Sequence, residues 1–517
     1  MDRWKTFSVV PEGGLIENLS PLVQGEMFPG SLTDARNVEP SPLGGYRRIK
    51  GYEKFDSTVV PGTGKVQAVF MFDDTCLAMR TNKWYTSTGG GWSSALLTMG
   101  SNPGTILVTR YNWSGTDNLI ICDGVNAPVH FDGTTLTLMD NSATINGQAI
   151  STATANNIVG AQAVQEFHQH MFYSVDEHIR FSAPNNEGLV DGTGGSGEFI
   201  TGSEKIGMAP WRKQLYCWGD DRIGTISGQN STDFKFENVT HKVGVVEPRT
   251  IREMNGDIYY LAYDGVRTIS GTVRNEDIEL GSTTRGIPNS MESLNFRSSS
   301  NDVHAVNIRT NTQYRIFVGN STSEDFEGEG LLGGIRLNSS KEVLLEWFKI
   351  KGINASCSDS HVHNNTEYVI HGSYDGYVYR QERGNDFDTA NISTFIRFPY
   401  WSIHTPEIRK TMYKGKFYLI AESQIAPTLG YNYNYNLANS LQPPTISLST
   451  GTDGFDEYSS PDSVYGTATF GEDYPIQADV NLIGSGDNVS FYLSSDDTLA
   501  TWSVQSVVIE YGEDGRR

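Results

Sequence analysis

The sequence predicts an all-β protein: a β-propeller of six or seven blades, an extended N-terminal arm before it, and a C-terminal β-sandwich carrying a long loop after it. Three observations predict that class. First, a strand-like run, an Asp, Gly or Asn turn and a second strand recur seven times, starting at Gln67, Asn118, Gln169, Lys213, Gly256, Gln313 and Thr366. Steps of roughly 50 residues suit a four-stranded propeller blade. Second, aromatic and β-branched residues fill the run before each turn, as half-buried strands require. Third, 54 Gly, 25 Tyr and 23 Phe, with abundant Asn and Ser, give the composition of strands joined by tight turns, and no long amphipathic helix is evident.

Residues 1–60 form the arm. The run from Leu22 to Phe55 is punctuated by Pro and Gly and carries a basic cluster at Arg47, Arg48, Lys50 and Lys54. Such a segment packs against something rather than folding alone, and Arg47, Arg48 and Lys50 are the residues expected to dock it. The chain opens Met1-Asp-Arg-Trp-Lys-Thr with no apolar run behind the charges, and no later run approaches membrane-spanning length. The expected setting is therefore the cytosol or a particle assembled there, with no membrane segment.

Residues 61–395 are the propeller. Only one stretch inside it, Asn157 to His170, has helical character, and it reads equally as a strand leading into the third repeat. Cys76, Cys122, Cys217 and Cys357 lie far apart without CxxC spacing and read as free, mostly buried thiols. Gly62-Thr-Gly-Lys65 resembles half a P-loop, but Val66 stands where a magnesium-binding Ser or Thr is needed, so it is read as a turn. His168 with His170 and His361 with His363 have the i, i+2 spacing that puts two rings on one face of a strand. Without an identifiable third ligand, solvent-facing or hydrogen-bonded histidines are the expected state. No metal or cofactor is expected.

Residues 396–517 are the sandwich. Alternating runs around Tyr413 to Glu422, Ala478 to Ile483 and Trp502 to Tyr511 read as strands, and the Tyr-, Asn-, Ser- and Gly-rich tract 424–475 reads as an exposed excursion. Tyr431, Tyr433 and Tyr435 in that tract suit either a structural loop tip or stacking on sugars or bases.

Charge narrows the function. Lys+Arg 39 against Asp+Glu 61 gives a net −22, which argues against a grip on nucleic acid through phosphate neutralisation. Between Ile420 and Gly515 there is no Lys or Arg at all, while carboxylates recur, among them Asp453, Asp456, Glu457, Asp462, Glu472 and Asp473. Two readings stand: a solvated acidic face that maintains solubility, or the wall of a conduit that must not hold a passing polyanion.

The combination of Pro29-Gly30, Asp34-Ala-Arg-Asn37 and Gly44-Gly45-Tyr-Arg47-Arg48-Ile-Lys-Gly51-Tyr52 resembles the opening of short-tailed bacteriophage tail proteins of the nozzle, or packaged-DNA stabilisation, type. The close, Val507 to Arg517, is similar to the end of such virion proteins. The resemblance covers the two ends by pattern and the middle by architecture. It implies a structural protein of the virion tail, assembled in the host cytoplasm, that forms a sixfold ring below the portal and its adaptor. Such a ring extends the DNA channel, retains the packaged genome and lets it pass without specific binding. It also carries tail fibres or spikes and a plug or needle.

The sequence offers no Gly-x-Ser-x-Gly elbow, no nucleophilic Cys context and no sialidase-type Asp box, so no enzyme is expected. Among 61 acids a glycosidase pair is not marked out. The alternative function is a propeller-based glycan-binding or glycan-cleaving protein that interacts with a receptor.

Overall fold

The computed structural model describes residues 4–113, 115–274, 281–320, 328–337, 343–421, 425–437, 442–448 and 474–514. The chain enters through β1 (Lys5–Val9), α1 (Pro21–Met27), β2 (Asp34–Arg36), β3 (Val38–Pro40), β4 (Tyr46–Arg48) and β5 (Tyr52–Lys54). Four four-stranded antiparallel sheets follow. They are β6–β9 (Val66–Phe72, Thr75–Arg80, Lys83–Ser87, Leu97–Thr98), β10–β13 (Leu107–Tyr111, Asn118–Cys122, Val129–Phe131, Leu136–Leu138), then, after the small hairpin β14–β15 (Thr144–Ile145, Gln148–Ala149) and α2 (Thr152–Ile158), β16–β19 (Ala163–Phe167, His170–Val175, His178–Phe181, Gly197–Ile200), and β20–β23 (Gly207–Trp211, Gln214–Trp218, Ile223–Ser227, Lys235–Thr240). A three-stranded sheet, β24–β26 (Arg252–Met254, Asp257–Ala262, Gly265–Thr268), comes next. Then come β27–β30 (Asp302–Ile308, Gln313–Gly319, Glu329–Leu337, Val343–Lys351) and β31–β33 (Ala355–His363, Thr366–Ser373, Val378–Gln381).

Six of these units form sheets of their own, one blade each. The last of them is completed by β5, which pairs with β33 from more than 300 residues away (Tyr52 opposite Gln381). A seventh position around the axis is filled by β27–β30, which belong to a larger sheet. Strands β6, β10, β16, β20, β24, β27 and β31 together border one central cavity, which places all seven around it.

The repeat seen in the sequence has a backbone cause. Consecutive residues with positive φ occur at His168–Gln169, Arg212–Lys213, Asn255–Gly256 and Asn364–Asn365, each joining the first and second strands of a blade. That is the signature of two-residue hairpin turns whose twist matches the strands they connect. The ambiguous stretch from Asn157 divides: α2 ends at Ile158, and β16 is a strand.

The C-terminal part consists of β34 (Ile392–Arg397), β35 (Lys410–Ala421), β36 (Thr428–Tyr433), β37 (Ile446–Ser447), β38 (Tyr474–Asn481), β39 (Ser485–Gly486), β40 (Val489–Asp497) and β41 (Trp502–Glu513). One sandwich layer is a nine-stranded sheet in the order β27-β28-β29-β30-β2-β34-β40-β36-β37. The other follows β3-β4-β41-β35-β38, with β1 on β41 and β39 on β35. Phe417 of one layer meets Phe491 of the other with ring centroids 5.8 Å apart, inside the largest hydrophobic core of the molecule.

Three expectations change here. The sandwich is not separate from the propeller, because β2 bridges β30 and β34 and fuses the seventh blade into its sheet. Residues 1–60, expected as a separate extended docking arm, contribute strands to both sandwich layers and to the last blade. The tract 424–475 is partly sheet as well, since β36 pairs with β40 along its length.

Candidate functional site

The six carboxylates expected to line a channel, Asp453, Asp456, Glu457, Asp462, Glu472 and Asp473, lie outside the described residues. The expected docking cluster is placed, and Arg48 of it faces inward. Arg48 is buried; its guanidinium donates to Asp497 Oδ1 at 2.6 Å, to the Leu499 carbonyl at 3.1 Å and to the Asn385 carbonyl at 3.3 Å. Arg47 donates to the fully buried Glu39 at 2.5 Å, and Lys50 is half-buried. Arg47 and Arg48 therefore pair within the chain. Glu39, raised above the usual carboxylate range by burial, is also reached by Arg315 at 3.2 Å.

The rest of the motif around them is structural too. A Cβ on Gly51 would sit 1.7 Å from the Asp386 carbonyl oxygen, and one on Gly30 would sit 2.2 Å from that of Val10. Asn37, at φ 54°, donates its side-chain amide to the Lys351 and Ser393 carbonyls at 2.8 and 2.9 Å, tying β30 to β34. The residues that carry the family resemblance are those that stitch the two sandwich layers and the last blade together.

The propeller axis encloses a cavity of about 360 Å³. Its charged lining is Arg110, Arg249, Arg252 and Arg309 against Glu253 and Asp359, a positive excess inside a strongly negative chain. Arg110 pairs with Asp359 at 3.1 Å, and Arg249 with Glu247 at 3.0 Å. Arg252 donates only to carbonyls in the bonds resolved for it, those of Ala305 at 2.9 Å and Ile251 at 3.1 Å. Burial holds His304 well below the ordinary histidine range, with the nearby Arg249 adding to the effect, so its ring is neutral.

A second cluster sits where the first blade meets the last. His361 and His363 share a face of β31, as their spacing predicted, and Asp73 from the β6–β7 turn joins them. The three donor atoms lie within 4.8 Å of one another, with His363 Nδ1 and Asp73 Oδ1 3.0 Å apart. Burial and the nearby Arg110 lower the His361 pKa, so that ring is neutral at pH 7. The other pair behaves differently. His168 occupies the turn at φ 50°, whereas His170 is buried with Nδ1 2.5 Å from the Ser182 carbonyl, so the two do not share a face. Asp73 was missed in the sequence because nothing there says which blades are neighbours; the signal was the Asp73-Asp74 turn at the end of the first repeat's opening strand.

The remaining candidates are structural. All four cysteines are free and buried, and burial raises the thiols of Cys76, Cys122, Cys217 and Cys357 above their ordinary pKa, which keeps them unreactive. Tyr431 and Tyr433 point into the sandwich core, Tyr431 stacked on Phe491 at 5.5 Å, so neither is open to sugars or bases; Tyr435 is exposed beside Tyr400. Gly62 to Lys65 is bend rather than helix start, as expected of a turn, and Lys65 pairs with Asp302. No helix is long and apolar enough to cross a membrane among the described residues.

Neither a protein-family model nor a curated protein matches the sequence. Solved structures similar to the chain include an ancestral GH74 enzyme, at 10% identity and TM-score 0.39, covering 68% of this chain and 50% of that one. Another is the extracellular domain of a one-component system from B. thetaiotaomicron, at 8% identity and TM-score 0.39, covering 65% of this chain and 40% of that one. The chain thus spans half or less of either protein's length, and at these scores neither likeness bears on function.

Proposed function

We propose that the chain is a structural virion protein, the nozzle subunit of a short-tailed phage. Copies form a ring, a hexamer on the family pattern, that docks on the adaptor and portal above and carries fibres or spikes, with a plug or needle closing the channel. The ring retains the genome and releases it during ejection. The supporting observation is that the motif bearing the family resemblance, from Pro29 to Tyr52, is the segment that fuses propeller and sandwich into one wedge. A rigid wedge is what a ring subunit under genome pressure needs.

The test is direct. Light scattering and negative-stain microscopy of the purified chain, alone and with its adaptor, should show a ring with an axial opening. A monomer that persists with the adaptor present would overturn the reading. If that monomer bound or cleaved oligosaccharides, the glycan alternative would take its place. The conduit role has its own test: replacing several of Asp453, Asp456, Glu457, Asp462, Glu472 and Asp473 with Lys should slow genome ejection while particles still assemble, and an unchanged ejection rate would remove it.

A further inference from the structure

We propose that His361, His363 and Asp73 bind a divalent transition-metal ion that clasps the propeller ring at the seam between its last and first blades. The seam is where the ring closes. Here β31 lies against β6 although about 280 residues separate them in the chain, and the backbone closes the ring only through the link from β5, which completes the last blade, to β6. An ion held by β31 on one side and the β6–β7 turn on the other would join the two blades directly.

The donor set selects the metal class. Two imidazole nitrogens and one carboxylate oxygen suit zinc, cobalt or nickel, which take nitrogen ligands; calcium and magnesium require oxygen-rich sites. The geometry is close to bound. At metal–ligand lengths of about 2.0–2.2 Å, tetrahedral ligand atoms stand roughly 3.3–3.5 Å apart. His363 Nδ1 and Asp73 Oδ1 are at 3.0 Å, and the widest separation in the trio is within 4.8 Å, so small side-chain rotations complete it. All three side chains are half-buried, which leaves a route for the ion and room for solvent at the remaining positions.

The surroundings hold the ligands in place. Asp73 sits at φ 51° in its turn, where Asp is tolerated, and its neighbour Asp74 accepts from the Tyr368 hydroxyl at 2.8 Å. Asp74 Oδ2 also lies 3.8 Å from His363 Nε2, and the Asn364 side-chain amide contacts the same nitrogen at 2.8 Å. With the ring proton on Nε2 toward Asp74 and the Asn364 amide turning its oxygen to that edge, Nδ1 presents its lone pair beside Asp73. Supporting partners of this kind orient metal-ligating histidines.

The experiment uses the full chain stripped with a chelator. Cobalt(II) titration should give visible d–d absorption saturating at one ion per chain, displaced by zinc, and calorimetry with zinc should give the same stoichiometry. His361→Gln with His363→Gln should abolish this site, and Asp73→Asn, which keeps the turn conformation, should weaken it at least tenfold. Zinc should raise the Tm of the wild type by about 2 °C or more and leave the variants unmoved, because a ligand that binds only the folded state stabilises it. Calcium or magnesium binding as tightly as zinc, or cobalt spectra unchanged in the variants, would overturn the site. One-to-one binding without a rise in Tm would overturn the clasp. If the double variant does not fold, Asp73→Asn decides both points.

Discussion

His371 lies wholly inside the last blade, stacked on Tyr379 at 5.2 Å and edge-on to Tyr52 at 5.1 Å, with the Gln381 amide 3.2 Å from Nδ1. Burial pulls its pKa from 6.5 down to about 3. A histidine kept neutral in the fold contributes stability above its unfolded pKa. As pH falls below 6.5 the unfolded chain takes up a proton that the folded ring refuses until about pH 3, so stability drains across that window at about 1.4 kcal/mol per pH unit. Urea midpoints should therefore fall more steeply between pH 6.5 and 5 in the wild type than in His371→Gln; parallel curves would show that the ring protonates in place. Arg48 supplies a second residue-scale prediction. Removing its guanidinium strips a donor from the Leu499 and Asn385 carbonyls and leaves Asp497 without its cation, so Arg48→Met should cost about 3 kcal/mol in equilibrium unfolding. Arg47→Met should cost less, because Glu39 keeps Arg315 and Gln313. Equal losses would mean that the remaining partners do not set the scale.

At the level of elements, what the sequence made legible was what local physics writes. The turns that follow the repeated strands needed a residue tolerant of positive φ, so Asp264-Gly265 and Asp375-Gly376 stood out, and the strands before them carried aromatic and β-branched runs. The strands β2 to β5 were invisible because each has three residues, too few to show alternation, and their partners lie hundreds of positions away. The same non-locality hid Asp73 from His361 and His363. These short strands are tightly set. Gly51→Ala should destabilise by about 3 kcal/mol or more, since its Cβ would overlap the Asp386 carbonyl, whereas Gly64→Ala, at φ 78° with open space around it, should cost only about 1–2 kcal/mol of backbone strain. Thermal unfolding of the two variants compares them. Deleting residues 1–56 should not release a folded body lacking a dock. It removes β1 to β5, unbridges β30 from β34 and opens the last blade, so the product should be insoluble or lose most of its strand signal in circular dichroism. A soluble truncated chain with native strand content would restore the arm reading.

Across the whole molecule, stability is divided unevenly, and the division follows from how the sheets are joined. The blades from β6 to β23 share small cores, each confined to the space between two neighbouring sheets. The sandwich, the N-terminal strands, β24–β30 and parts of the last blade share one continuous core that runs from Val9 through Trp347 and Trp401 to Tyr511. A blade that opens in the first group exposes two thin interfaces, while opening β35 or β41 breaks a layer clamped by strands from both ends of the chain. Local opening free energies track the buried apolar contact that must be broken. Native-state hydrogen exchange should then resolve two tiers. Amides of β11 and β17 should exchange through a sub-global opening that leaves β35, β40 and β41 protected, and those three strands should exchange only with global unfolding. The tiers should move differently with metal if the seam is clasped: zinc should slow exchange in β6, β7 and β31 without changing β41. Uniform protection across β11, β17 and β41 would mean that the ring transmits the sandwich's stability around its full circumference, and that the propeller opens only when the whole wedge does.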